Sequence, residues 1–156
     1  MAATRYAAAG ILLLAAAGCV SVPGGVQTSE QPQARTISVA LGASSDVNPG
    51  PDGRAAPLPV QVYVLRSTGA FQSQDYFGLK GGSAISADQV DSRSISLRPG
   101  ETKQLSVNSG TDGAYLGVIA GYRNIDNANW RAVSSLGTSD SFVVRAGKSS
   151  ISISAR

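Results

Sequence analysis

Apolar and polar residues alternate with a period of two over most of the chain after residue 35, as they do in strands that bury one face. In the first such segment Ile37, Val39 and Leu41 share one face, so we expect them to point into a core. Residues 60–66 and 115–122 are apolar on both faces, which predicts strands that lie centrally in a sheet. The same alternation predicts further strands at residues 93–97, 103–107, 130–134, 141–145 and 149–154.

Seven or eight short strands separated by turn signals predict an all-β fold, in which two antiparallel sheets pack as a sandwich. A small helical insertion is expected at residues 69–79. There Phe71 and Asp75 stand four positions apart, as do Gln72 and Tyr76. The sequence SADQ at residues 86–89 resembles a capping box and predicts one more helical turn.

Residues 44–59 break the alternation with four prolines and two glycines in 16 positions, which neither a helix nor a central strand tolerates. We expect a long loop that projects from one end of the sandwich, with residues 48–54 exchangeable for a Gly-Ser linker at little loss of stability. Its candidate partner-binding residues, polar and apolar, are Asp46, Val47, Asn48, Pro49, Asp52, Gly53, Arg54 and Leu58. The alternative interpretation is a solvated connection made of turn residues.

The first 18 residues indicate a signal peptide, since Arg5 precedes an apolar run over residues 7–17 that is too short to span a bilayer. The run ends in AAGC, which resembles the lipobox of bacterial lipoproteins, and Cys19 is the only cysteine of the chain. We therefore predict cleavage before Cys19 and covalent attachment of diacylglycerol and an N-acyl lipid to this residue. The alternative is an ordinary signal peptide that ends near a chance cysteine.

The segment after the cleavage point, residues 19–35, is polar, contains proline and glycine, and has no periodicity. It predicts a lipidated flexible tether that reaches about 22 Å in root-mean-square terms, followed by one β-domain over residues 36–156. Val20 stands where aspartate would retain a lipoprotein at the inner membrane, by resemblance to sorting in enteric bacteria. We therefore expect the protein at the outer membrane, held by its lipid, with the domain in the periplasm.

The composition offers few groups for chemistry. The 156 residues include no histidine, so the usual general base and metal ligand are missing, and no serine has a histidine to activate it. Asp75, Asp88 and Asp91 lack the spacing of a calcium-binding loop. The net charge of +3 is scattered rather than gathered in the basic stripe of a nucleic-acid-binding protein. We expect no enzymatic activity, no catalytic or metal-binding residue, no cofactor besides the lipid, no small-molecule substrate and no nucleic-acid partner.

Two aromatic residues are each followed by an arginine, and both pairs allow two interpretations. Tyr122 precedes Arg123, and Trp130 precedes Arg131. Each aromatic ring can belong to the core while its arginine reaches the solvent. Alternatively, the pairs can anchor a protein interface, where Trp, Tyr and Arg are enriched. If the long loop does not bind the partner, this face is the next candidate.

Five stretches, in this order after the signal peptide, are similar to one known family. They are NPGPDGR at residues 48–54, VQVYVL at 60–65, FQSQDYFGL at 71–79, LRPGE at 97–101, and GVIAGYR at 117–123 followed by Trp130 and Arg131. On these residues the chain resembles the outer-membrane lipoprotein of bacterial type VI secretion systems, called TssJ or SciN.

The resemblance implies a transthyretin-like β-sandwich with a small helical addition. It also implies a structural subunit that binds the periplasmic C-terminal region of the inner-membrane protein TssM. With TssL these proteins would form the trans-envelope complex on which the contractile tail docks, and the long loop would contact TssM. The competing hypothesis is a periplasmic carrier or small-ligand-binding lipoprotein, which would need a deep apolar pocket with a few convergent polar groups.

Overall fold

The alternating segments form strands in the computed structural model, which describes residues 33–156. These strands are β1 Thr36–Ala43, β2 Leu58–Leu65, β3 Gln89–Leu97, β4 Thr102–Asn108, β5 Tyr115–Ala120, β6 Arg131–Ser135, β7 Ser141–Ala146 and β8 Ile151–Ala155. The predicted signal peptide, the lipidation site Cys19 and the tether up to residue 32 lie outside the described residues.

The eight strands of this part of the chain form two four-stranded sheets, in the orders β4-β1-β7-β8 and β3-β2-β5-β6. The predicted all-β sandwich is therefore confirmed. One pair departs from the expected antiparallel arrangement, because β1 and β7 run parallel, with Val39 opposite Phe142. The chain returns to the first sheet at β4, on the other side of β1, and reaches the β7 position only after β5 and β6 of the second sheet, so no hairpin fixes the relative direction of β1 and β7.

The main core lies between the two sheets and follows the predicted alternation. Ile37, Val39 and Leu41 of β1 are fully buried, as predicted. They belong to the same cluster as the alternate residues of the two central strands of the other sheet, namely Val60, Val62, Val64, Leu116, Val118 and Ala120. Burial of alternate residues on both sheets is the main stabilising contribution in a sandwich of this kind.

A second apolar cluster covers the outer face of the β3-β2-β5-β6 sheet. It consists of Tyr63, Leu65, Phe71, Leu79, Ile85 and Ile119. Phe71 and Leu79 come from the helical insertion, which thereby buries the second face of β2 and β5. The Phe71 ring fits because Gly117 has no side chain, since a Cβ atom there would lie 2.8 Å from Phe71 Cζ. The cover provided by the helical insertion explains why β2 and β5 are apolar on both faces.

The helical insertion differs in detail from its prediction. Instead of one helix there are two, α1 Gly69–Ser73 and α2 Tyr76–Lys80, because Asp75 begins a new helix by accepting a 2.7 Å hydrogen bond from Gly78 N. The predicted helical turn at residues 86–89 is wrong, since Gln89 already pairs with Leu65 as the first residue of β3. In residues 33–156 we find no helix with the length and apolar character needed to cross a membrane.

The two phenylalanines of the helical insertion provide a matched test of the second cluster. Phe71 is fully buried, whereas Phe77 is 70% exposed. We expect Phe71→Ala to lower the free energy of unfolding by about 3–5 kcal/mol, because it leaves a cavity over the sheet. Phe77→Ala should change it by less than about 0.5 kcal/mol. Urea unfolding of the chain from residue 20 onward, followed by circular dichroism, measures both, and equal effects would contradict the packing described here.

Candidate functional site

Three connections meet at one end of the sandwich and enclose a cleft of about 530 Å³. They are the long loop between β1 and β2, the segment between β5 and β6, and the turn between β7 and β8. The residues that line the cleft are Asn48, Pro49, Gly50, Pro51, Tyr122, Arg123, Asn124, Asn127, Lys148 and Ser149. The structure therefore places part of the predicted loop site beside Tyr122 and Arg123, which the sequence offered as a separate candidate.

The two apolar residues that we predicted as partner contacts are buried instead. Val47 is fully buried in the main core, and its carbonyl accepts a 3.1 Å hydrogen bond from Ala56 N across the base of the loop. Leu58 is also fully buried, because it is the first residue of β2 and lies opposite Leu97. In this structure neither side chain reaches the surface, and both anchor the base of the loop.

Asn48 links the long loop to both other connections. Its backbone has a positive φ of 51°, which asparagine tolerates better than most residues, and it is only 3% exposed. Its Nδ2 donates to the Pro57 carbonyl at 2.8 Å, while its Oδ1 accepts from Arg123 N at 2.7 Å. Its own N–H donates to the carbonyl of Lys148 at 3.1 Å. The expectation that residues 48–54 can be exchanged at little cost is therefore wrong for Asn48.

Beyond Asn48 the loop forms a tight exposed tip. Gly50 N donates to Arg54 O at 2.8 Å, and Gly53 N donates to Gly50 O at 2.9 Å. Gly53 has a φ of 72°, a conformation that favours glycine. Asp52 accepts from Arg54 N at 3.2 Å and lies 3.7 Å from its guanidinium. The tip therefore has a defined shape although Asp52, Gly53 and Arg54 are exposed.

Tyr122 supports the cleft from below rather than contacting the solvent. Its side chain is 5% exposed, and its hydroxyl lies 3.1 Å from the carbonyl oxygen of Gly147 and 2.7 Å from that of Ser150. Burial raises the pKa of Tyr122 to about 12, so the hydroxyl remains a donor at physiological pH. Tyr122 thereby fixes the turn that carries Lys148.

Trp130 and Arg131 serve the helical insertion and not the cleft. Arg131 Nη1 donates to the carbonyls of Phe71 at 2.8 Å and Gln74 at 2.9 Å, which satisfies acceptors at the end of α1. The guanidinium lies 4.9 Å from the centre of the Trp130 ring. For this pair the structure favours the interpretation of a partly buried aromatic residue with a solvent-reaching arginine.

The three aspartates considered as ligands have separate structural tasks. Asp75 caps α2, Asp88 accepts a hydrogen bond from Ser67, and Asp91 forms an ion pair with Arg93. Among residues 33–156 no group of three or more potential metal ligands occurs.

The cleft is lined by side chains that donate hydrogen bonds, namely those of Arg123, Asn124, Lys148 and Ser149. Nothing in the sequence marks Asn124, Asn127, Lys148 and Ser149 as site residues, because only the fold brings these connections next to the long loop.

Comparison with known proteins gives similar structures. TssJ1 from Pseudomonas aeruginosa, a T6SS lipoprotein, is 32% identical with a TM-score of 0.72, over 80% of this chain and 97% of TssJ1. Lip from Serratia marcescens, a membrane-bound component of the Type VI Secretion System, is 30% identical with a TM-score of 0.70. The match covers 78% of this chain and 96% of Lip. A chain in a type VI membrane complex shares the fold at 18% identity and a TM-score of 0.67. The match covers 78% of this chain and 98% of the other chain. The search of curated proteins gives no match.

The family model T6SS-SciN, described as a type VI secretion lipoprotein (VasD, EvfM, TssJ), matches residues 35–154. This match covers the whole sandwich and confirms the resemblance found in the five sequence stretches. Proteins of this family are structural components without enzymatic activity, which confirms the prediction that the chain is not an enzyme. The chain belongs to the type VI secretion lipoprotein family, TssJ/SciN.

Proposed function

We propose that this chain is the lipid-anchored subunit of a type VI trans-envelope complex, and that the end of the sandwich with the long loop binds the periplasmic C-terminal region of TssM. TssL would join the complex indirectly, through TssM. The observation that carries the proposal is the loop itself, which is fixed at its base by Asn48 and presents an ordered, exposed tip.

An ordered tip suits protein binding because little conformational entropy remains to be lost. Prolines at positions 49, 51 and 57 restrict the backbone, and the hydrogen bonds between Gly50, Gly53 and Arg54 define the turn. The partner contacts would come from the exposed Asp46, Asp52, Gly53 and Arg54 and from the half-buried Pro49. Val47, Asn48 and Leu58, which are buried, would hold this surface in place.

The direction of β1 supports this orientation. The chain enters the sandwich at Thr36, and β1 runs eight residues to Ala43, where the long loop begins. A strand of this length spans about 25 Å. The tether would thus leave from the end opposite to the loop. A lipid on Cys19 in the outer membrane would leave the loop end free to face the periplasm and TssM.

The competing hypothesis of a small-ligand carrier finds less support. The space between the sheets is filled by side chains that include Val62, Leu116 and Phe142, all fully buried. The cleft at the loop end is open and lined by prolines together with amide, hydroxyl and cationic groups. Such a surface suits a protein segment better than a buried apolar ligand.

The loop tip can be tested without disturbing its anchor. Replacing residues 49–54 by a Gly-Ser linker, with Asn48 retained, should weaken binding of the TssM C-terminal region at least tenfold, which is about 1.4 kcal/mol. Calorimetry on the two soluble domains measures the affinity. A Gly-Ser exchange of residues 138–139, in the turn between β6 and β7 at the opposite end, is the control and should leave it unchanged. Unaltered affinity in a folded tip variant would place the interface elsewhere.

The anchor residue Asn48 should matter for the stability of the fold and for the protection of the Arg123 amide. Asn48→Ala removes both side-chain hydrogen bonds and places alanine at a positive φ. We therefore expect the free energy of unfolding to fall by about 1–3 kcal/mol. The amide of Arg123 should also exchange with solvent faster, because it loses its acceptor. Urea unfolding and hydrogen exchange measure these effects. Asp52→Ala, in the exposed tip, serves as the control and should alter neither.

The lipid anchor is tested at the lone cysteine. Cys19→Ser should abolish lipidation, because diacylglycerol is attached through the cysteine sulfur, and the protein should remain unprocessed or become soluble in the periplasm. Metabolic labelling with a palmitate analogue and membrane fractionation report the result. A serine variant that still sediments with the outer membrane would disprove the proposed anchor.

A further inference from the structure

We propose that the cleft at the loop end binds carboxylate groups, and that it receives an acidic segment of the protein partner. This inference rests on the proposed function and specifies the chemistry of the same site. Its starting point is the charge of the lining: Arg123 and Lys148 are present, and none of the lining residues is aspartate or glutamate. Both cationic residues are exposed.

Neither cation is neutralised within the described part of the chain. The ion pairs found among residues 33–156 involve Arg35, Arg54, Arg66, Arg93 and Lys103. The nearby acidic groups are engaged or lie outside the lining. Asp52 pairs with Arg54 and also lies on the Arg123 side of the tip, since a Cβ atom at Gly50 would be 2.9 Å from Asp52 Oδ1 and 2.6 Å from Arg123 Nη1, but it forms no ion pair with Arg123. Asp46 accepts a 2.7 Å hydrogen bond from Ser44, and Asp126 lies in the turn Ile125–Asn127 without lining the cleft. The charge of the cleft thus remains available to a ligand.

Asn48 holds the backbones of both cationic residues in place. Its Oδ1 accepts from Arg123 N, and its N–H donates to the carbonyl of Lys148. The Arg123 guanidinium lies over Gly50, where a Cβ atom would be 2.6 Å from Nη1. The backbones that carry the two cations are therefore fixed before any partner arrives, which lowers the entropic cost of binding a charged group.

The donors around the cations suit a carboxylate. A guanidinium presents paired N–H groups that match the two oxygens of a carboxylate, and lysine adds a point charge. Asn127 Nδ2 donates to Asn124 Oδ1 at 2.8 Å, which orients the Asn124 amide. The Nδ2 of Asn124 is then a further donor. Ser149 adds a hydroxyl to the lining.

The shape of the cleft favours a side chain carried on a polypeptide. The cleft is larger than one carboxylate needs, and it continues onto the prolines at positions 49 and 51 at the base of the exposed loop tip. An acidic side chain could enter between Arg123 and Lys148 while its own backbone lies along these prolines. The loop tip and the cleft would then form one continuous interface.

Charge reversal tests this inference in the complex between the soluble mature chain and the TssM C-terminal region. Arg123→Glu and Lys148→Glu should each weaken binding of the TssM C-terminal region at least tenfold. The loss of affinity between 50 and 200 mM NaCl should be smaller in the double variant than in the wild type, because fewer charge contacts remain. Arg156→Glu makes the same change in net charge at the opposite end of the sandwich, and it should leave the affinity unchanged.

A second variant addresses position rather than charge. Gly50→Ala keeps every charge but forces the Arg123 guanidinium and the Asp52 carboxylate apart, since the added methyl group would lie 2.6 Å from Arg123 Nη1 and 2.9 Å from Asp52 Oδ1. We expect weaker TssM binding with an unchanged unfolding curve. Retention of full affinity by Gly50→Ala and by both charge-reversal variants would overturn the inference. If replacing residues 49–54 still weakens binding in that case, the proposed function stands without the acidic contact.

A titration that does not need TssM separates the two proposals. Acetyl-Glu-Glu-amide is added to the isotope-labelled mature chain, and acetyl-Gln-Gln-amide serves as the uncharged control. The acidic peptide should shift the amide signals of Arg123, Asn124, Lys148 and Ser149, and the control should not. Equal shifts with both peptides, or shifts elsewhere, would overturn the carboxylate site. If the acidic peptide binds here and wild-type TssM does not bind, the assignment of the partner fails while the chemistry of the cleft is supported.

Discussion

The structure depends on the burial of β2 and β5 on both of their faces. Their inner residues complete the core between the sheets, and their outer residues Tyr63, Leu65 and Ile119 need a separate cover. The helical insertion provides that cover, and the missing side chain of Gly117 makes room for the Phe71 ring. A shift in register would move Gly117 from under the Phe71 ring and place a side chain there, so the close packing on the outer face holds the two strands in one register. The connections at their ends are therefore held in fixed positions.

Much of this fold was predictable because the strands carry a strong local signal. Period-two alternation identified β1 and its inward residues, and two-sided apolarity identified β2 and β5 as central. The division of the insertion into two helices depends on a single capping hydrogen bond from Gly78 N to Asp75. The parallel pairing of β1 with β7 joins residues about one hundred positions apart. Neither feature leaves a periodic trace in the sequence.

The site was less predictable than the fold, for a physical reason. Composition identified the long loop as irregular, but it could not show that Val47 and Leu58 turn inward or that Asn48 holds the base of the loop. Lys148 stands in a short turn that carries no signal of its own. It becomes part of the cleft only because Tyr122 and Asn48 bind the backbone of that turn. Such relations arise from tertiary contacts across about 25 to 100 positions of the chain.

The position of β1 also determines how the domain would bear mechanical load. The tether would pull at Thr36, whereas a partner held at the long loop would pull beyond Ala43, so the tension would run along the axis of β1. This strand is flanked by β4 on one side and β7 on the other. Its ladder hydrogen bonds lie across the pulling direction, so they would be sheared together and not opened one after another. In the proposed role, with a lipid at one end and a partner at the other, the domain would transmit force between its ends without unzipping.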